Sequence, residues 1–131
     1  MIVDTSVLAA ILLAEPGQER FQVALASSNQ IQLSAGSWIE LGVVLFRKDK
    51  AELAIIAERL LETFSIRIAA VDVAQSELAR LAYRAFGRGS GHPAKLNFGD
   101  CFSYALAKAT GEPLLFKGDD FGHTDVLKAI E

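Results

Sequence analysis

Residues 2–17, Ile2-Val3-Asp4-Thr5-Ser6-Val7-Leu8-Ala9-Ala10-Ile11-Leu12-Leu13-Ala14-Glu15-Pro16-Gly17, hold a short strand, a carboxylate and a helix in succession. The β-branched pair Ile2-Val3 suits extended backbone. Thr5 to Glu15 reads as a helix that Pro16-Gly17 stops, which leaves Asp4 at the junction. The same order recurs downstream. A second helix runs through about Ala26, and Ser27-Ser28-Asn29 form a loop before a strand at Ile31 to Leu33. Ser37 opens a helix carrying Ile39, Leu41, Val43, Val44 and Phe46. After Asp49-Lys50, the spacing of Leu53, Ile56, Leu60 and Leu61 marks the inward face of another helix.

Ile66, Ile68 and Val71 predict a strand, and Val73 to Phe86 an amphipathic helix with Leu78, Leu81, Ala82 and Ala85 on one side. Gly87 to Pro93 reads as the most flexible loop of the chain. A helix from about Phe98 to Thr110 stops at Gly111, and Pro113 to Phe116 is a last strand before the turn Lys117-Gly118-Asp119-Asp120. Strands alternating with helices imply an α/β fold, a short and mainly parallel central sheet flanked by helices. No repeat or linker divides the chain, so residues 1–131 are read as one domain.

The 131 residues are 51% apolar and 22% charged, as in an ordinary globular protein. The net charge of −3 runs against a protein that binds nucleic acid through its bulk charge, so any such contact must be local. The single cysteine, Cys101, excludes an internal disulfide. No basic signal-peptide start precedes the first apolar run, and that run, Val7 to Ala14, falls far short of the roughly 20 residues that span a bilayer. A cytoplasmic protein with no membrane association is expected.

In parallel sheets, ligands bind beyond the carboxyl ends of the strands. Four acids fall there: Asp4 after the first strand, Glu40 in the first turn of the Ser37 helix, Asp100 in the first turn of the Phe98 helix, and Asp119 after the last strand. Carboxylate oxygens suit Mg²⁺ or Mn²⁺. Each acid also has a structural explanation. Ser37 and Glu40 have capping-box spacing, as do Asn97 and Asp100. Asp4 can cap the first helix, and Asp119-Asp120 can be turn residues. Convergence separates the two readings. A cap contributes ~1 kcal/mol, whereas two carboxylates about 4 Å apart repel by ~4 kcal/mol at an effective dielectric near 20. A bound divalent cation removes that conflict.

Other chemistry lacks its residues. His92 and His123 form no metal spacing with Cys101, which is read as a small packed side chain. There is no nucleophile elbow or phosphate-binding loop, and the glycines Gly87, Gly89 and Gly91 follow a helix, the wrong context for a dinucleotide site. Trp38 and Phe98 are read as packing residues rather than base-stacking platforms. Between Arg80 and Gly99 lie four cations, Arg80, Arg84, Arg88 and Lys95, and no acid. With the glycine-rich loop they suggest a mobile basic flap whose Arg84, Arg88 and Lys95 grip a phosphate backbone. A solvated helix face is the alternative.

Asp4-Thr5-Ser6-Val7-Leu8 resembles the opening motif of PIN-domain proteins, and Trp38-Ile39-Glu40-Leu41 their second acidic motif. Phe98-Gly99-Asp100-Cys101-Phe102-Ser103-Tyr104-Ala105-Leu106-Ala107 closely resembles the third. Leu115-Phe116-Lys117-Gly118-Asp119-Asp120-Phe121, with Thr124-Asp125-Val126 beyond, resembles the closing one. Within that family the chain resembles VapC-type toxins, which are single small PIN domains. The resemblance implies an endoribonuclease dependent on Mg²⁺ or Mn²⁺, in which an acidic cluster holds a metal-activated water that hydrolyses RNA phosphodiesters. It implies a homodimer, and a VapB-type antitoxin that occludes the site and alone contacts operator DNA. It makes Asp4 and Asp100 metal ligands, with Glu40 completing the shell directly or through water. Asp119 is the fourth acid, with Asp120 its alternative. Thr5 or Ser6 then positions substrate or water.

Two other readings stay in view. A phosphoacceptor receiver domain has similar size and acids at strand ends, but needs an acidic pair beside its first strand, where Asp4 stands alone. Lys117 after the last strand suits it. A non-catalytic PIN-like module, with purely structural acids, is the other.

Overall fold

A computed structural model describes residues 1–131. Four strands form one sheet in the order β3-β2-β1-β4: β1 (Ile2–Val3), β2 (Ile31–Ser34), β3 (Ile66–Ala69) and β4 (Leu114–Leu115). Every pairing is parallel, with Ile2 opposite both Gln32 and Leu114, and Ile31 opposite Ile66. Helices α1 (Thr5–Leu12) and α2 (Glu19–Ala26) connect β1 to β2. Helices α3 (Ala35–Arg47) and α4 (Ala54–Thr63) connect β2 to β3, and α5 (Val73–Phe86) and α6 (Asp100–Thr110) lead to β4.

The period of two along the strands divides the core. Val3 and Leu115 point to one face, where they meet Val7, Leu8, Phe21, Ile31, Leu33, Leu41 and Leu45 from α1, α2, β2 and α3. Ile2 and Leu114 point to the other, against Ala82, Leu96, Cys101, Tyr104 and Leu106. The chain moves outward from β1 to β3 and then returns to place β4 on the far side of β1. That reversal puts a crevice at the carboxyl end of β1, where open parallel sheets bind ligands. No helix is long and apolar enough to cross a membrane.

Helices α1, α4 and α5 differ from expectation. Helix α1 ends at Leu12 rather than Glu15, and Ala14 takes a positive φ of 51° before Pro16. On α4 the inward residues are Ala57 and Leu61, with Leu53 packed inward just before the helix, while Ile56 is 45% exposed. On α5 the inward residues are Gln75, Ala79, Ala82 and Phe86, and Leu81 is 60% exposed. In both helices alanines face the neighbouring element, because close approach leaves no room for a larger side chain. Strand β3 stops at Ala69, leaving Val71 beyond it. The loop after α5 is tied at both ends: Arg88 N donates to Leu96 O at 2.9 Å and Leu96 N to Phe86 O at 2.9 Å. Ala94 and Leu96 are fully buried and His92 packs edge-on to Phe86, so the expected free flap is a closed loop.

Candidate active site

Asp4 follows β1 and caps α1. Its Oδ2 accepts the Ser6 N–H at 3.0 Å, the structural role its position allows. Oδ1 accepts the Ser103 hydroxyl from α6, and the carboxylate is only 3% exposed. Because an ionised carboxylate only accepts, Ser103 donates to Asp4, and Ser37 Oγ in turn donates to Ser103 Oγ at 3.1 Å. Both serines are completely buried. This Ser37–Ser103–Asp4 chain was not anticipated. Its signal was two serines on otherwise apolar helix faces, Ser103 lying three residues after Asp100 on the same side.

The helix bearing Glu40 begins two residues earlier than expected. Ser34, not Ser37, is its cap, with Oγ accepting the Gly36 N–H at 3.2 Å. Glu40 therefore sits in the second turn, not the first, and the capping-box explanation for it fails. Its carboxylate lies against the backbone of Gly99: a Cβ there would stand 1.4 Å from Glu40 Oε2. The buried Thr5 hydroxyl is 3.1 Å from the Ser37 carbonyl and also within hydrogen-bonding reach of Glu40. It has one proton for the two acceptors, which places it between α1 and α3 rather than open to substrate. Burial, chiefly, and the charge of Asp4 raise the Glu40 pKa, against the lowering effect of Thr5.

Asp100 opens α6 and keeps its structural role. Its Oδ2 accepts the Asn97 N–H at 2.9 Å while Asn97 Oδ1 accepts the Asp100 N–H at 2.9 Å. Burial pushes the Asp100 pKa up to about 7. The Asn97 hydrogen bond opposes this, and the charges of Asp4, Glu40 and Asp120 add to it. Four carboxylates from four separate parts of the chain thus act on one another at the crevice. Asp119 instead lines a cleft of about 500 Å³ with Arg20, His123 and Lys128. Cys101 is buried, and burial followed by the charge of Asp100 pushes its thiol up to about 11, so it stays protonated and unreactive.

As they stand, no three His, Cys, Asp or Glu side chains approach closely enough to enclose a metal ion. The donor chemistry nevertheless fits a hard cation. All the groups are carboxylates, and burial, with a smaller contribution from the neighbouring acids, holds Glu40 and Asp100 above the ordinary carboxyl range with no cationic side chain beside them. The missing Cβ of Gly99 leaves the space that the Glu40 carboxylate occupies beside the start of α6.

The remaining expected residues fall elsewhere. Ser6 Oγ accepts the Lys117 N–H at 3.0 Å, tying α1 to the segment after β4. Lys117 is engaged by Glu15, not by the acids. Arg84 lies on the outer face of α5 in a shallow cleft with Glu77 and Arg80. Neither it nor Arg88 nor Lys95 forms an ion pair. Trp38 packs against the core as expected, but Phe98 is 76% exposed and is not a core residue. Asp125 accepts the Tyr104 hydroxyl at 2.7 Å and Lys108 Nζ at 3.0 Å. The Tyr104 bond, above all, lowers the Asp125 pKa and fastens the C-terminal segment to α6.

The family model described as "PIN domain" matches residues 1–127. Ribonuclease VapC42 of Mycobacterium tuberculosis is 50% identical over 129 residues, 98% of each chain. Ribonuclease VapC28 of the same species is 48% identical over 131 residues, 100% of this chain and 98% of that protein. Among solved structures, the sarcin-ricin loop cleaving toxin VapC20 of M. tuberculosis superposes with a TM-score of 0.74 at 18% identity, covering 97% of this chain and 96% of that one. A toxin–antitoxin complex from Klebsiella pneumoniae gives 0.66 at 20% identity, covering 99% and 98%. These last two speak to the fold alone. A family match over nearly the whole chain, with relatives of about half identical sequence, excludes the receiver-domain reading; the chain belongs to the PIN-domain family, in its VapC branch.

Proposed function

We propose that this protein is a divalent-metal-dependent endoribonuclease, the toxin of a toxin–antitoxin pair. The observation that carries this is the convergence of Asp4, Glu40, Asp100 and Asp120 at the sheet's switch point, where burial first, and neighbouring carboxylate charge after it, hold the Glu40 and Asp100 carboxyls above the ordinary range. Structural acids gain nothing from such crowding, whereas a cation relieves it. The relatives named as VapC ribonucleases supply the substrate class.

Asp4 and Asp100 are the acids held most firmly, Asp4 by a protein donor on each oxygen and Asp100 by one on Oδ2. Glu40 is half-buried against Gly99, and Asp120 is the exposed member of the set. Asp120 is the fourth acid rather than Asp119, because its charge reaches Asp100. When bound, Mg²⁺ or Mn²⁺ supplies Lewis-acid activation of water and neutralises charge on the phosphodiester. The chain's own contribution is positional. Ser103 and Ser6 N–H orient Asp4, Asn97 orients Asp100, and Thr5 stands between Glu40 and the Ser37 carbonyl. Neither histidine stands among the acids, so proton transfer falls to carboxylates or water. The unpaired Arg84, Arg88 and Lys95 remain candidates for phosphate contact outside the acidic crevice.

An antitoxin partner follows from the VapC branch. A homodimer is supported by the outward stripe of α3, where Ile39, Val43 and Phe46 stand exposed at helical spacing. The test is incubation of purified, antitoxin-free protein with total RNA in Mg²⁺ or EDTA, with Asp119→Asn and Asp120→Asn in parallel. Cleavage that EDTA abolishes, and that Asp120→Asn impairs more than Asp119→Asn, is expected. Equal cleavage in EDTA overturns the reading.

A further inference from the structure

Beside the acids runs an apolar groove that the proposed chemistry does not use. It has a volume of about 280 Å³ and is lined by Val71, Ala79, Tyr83, Phe98 and Phe102, with Arg80 at its rim. Phe98, Gly99 and Asp100 are consecutive, so the groove's outer wall and a site carboxylate are separated by one residue.

The two phenylalanine rings meet edge to face, with centroids 5.1 Å apart and planes at 80°. The Phe102 ring is held in place from behind: a Cβ on Gly36 of α3 would fall 2.3 Å from it. Phe98 is propped on a fixed ring yet left 76% exposed, a costly arrangement for a large apolar side chain with no partner. The groove is too short for a helix of several turns and large enough for one flat ring system. Arg80 pairs only with Glu77 of its own helix, at 3.3 Å and with both side chains well exposed, so that pair is weak and the guanidinium is free to turn.

Aromatic faces, one mobile cation and the acids one residue away specify a single occupant. Resting on the nuclease reading, we propose that this groove holds one unstacked base of single-stranded RNA, stacked on Phe98, with Arg80 on an adjoining phosphate. A strand crossing the carboxylates must place the base beside the cut somewhere, and this groove is an apolar, aromatic-walled surface that adjoins them. Phe98 is then a specificity-determining residue: stacking fixes the register of the strand, and the groove's size selects among bases.

The test measures binding of a short single-stranded RNA by fluorescence anisotropy in Ca²⁺, whose looser coordination slows cleavage, using wild type, Phe98→Leu and Phe98→Trp. Each is also tested with an oligonucleotide lacking one base at successive positions. Phe98→Leu keeps the bulk but loses the π face, and is expected to weaken binding roughly 10–100-fold while Phe98→Trp retains it. Removing the base at one position should cost wild type a similar factor and cost Phe98→Leu nothing further. Equal binding by all three proteins overturns the inference, as does a missing-base penalty that Phe98→Leu leaves intact. If Phe98→Leu alters sedimentation but not RNA binding, a second copy of the chain fills the groove and the inference also fails. Cleavage by wild type in Mg²⁺ is scored separately, so loss of this inference leaves the nuclease reading standing.

Discussion

Asp100 carries two roles that pull in opposite directions. Its hydrogen bond with Asn97 starts α6, and its burial among Asp4, Glu40 and Asp120 opposes its ionisation. With its pKa raised to about 7 in the folded protein, the native state holds a proton that the unfolded chain releases near pH 4. Metal-free protein therefore loses stability as pH rises from about 4 to about 7, and below that window the penalty is absent. Asp100→Asn keeps an acceptor for Asn97 and removes the charge. In EDTA at pH 8 it should be stabilised by ~2 kcal/mol, a rise of several degrees in Tm, with no gain at pH 4. Thermal melts across that range check this, and a lower Tm for the variant at pH 8 contradicts it. Gly99 offers a second test. An added methyl displaces only the mobile end of Glu40, so Gly99→Ala should fold within ~1 kcal/mol of wild type yet lose most of its Mg²⁺-induced rise in Tm. A variant with an undiminished metal response excludes Glu40 from the ion's shell.

At the level of elements, the acidic positions were legible because a strand end followed by a helix start is written in short-range signals. Where a helix begins is less so. Ser34 and Ser37 are equally good caps by residue type, and the choice fell to Ser34 because Ser37 is needed inward, against Ser103. The faces of α4 and α5 were misread for a related reason. Periodicity favours the larger Ile56 and Leu81, while the packing distance favours Ala57 on α4 and Ala79, beside the expected Ala82, on α5. Exposure of Phe98 was also invisible in the sequence, because it reads as the first residue of a helix that in fact begins at Asp100. The serine chain leads to a prediction. Ser103→Ala strands a buried oxygen of Asp4 and the Ser37 hydroxyl, and should destabilise by about 1–3 kcal/mol. The double variant Ser37→Ala, Ser103→Ala should cost less than the sum of the single changes. Urea unfolding of the three proteins measures it, and strict additivity counts against the chain.

At the level of the whole molecule, one parallel sheet brings together acids that are up to 116 residues apart in sequence, from Asp4 to Asp120. The net charge of −3 includes these carboxylates, so the overall acidity that argued against a nucleic-acid enzyme resides in part at the acidic crevice. A cation there changes the sign of the local field that an RNA phosphate meets. The central claim is that these converging acids exist to hold that cation for RNA cleavage. It is tested most directly by the rate of RNA cleavage as a function of Mg²⁺ for wild type and Asp100→Asn, side by side. Changes merely to the partners of metal ligands cost roughly 10–100-fold, so loss of a ligand should cost more than about 100-fold, with both proteins folded and EDTA abolishing the wild-type rate. Asp100→Asn protein that cleaves at the wild-type rate with the same Mg²⁺ dependence contradicts the account.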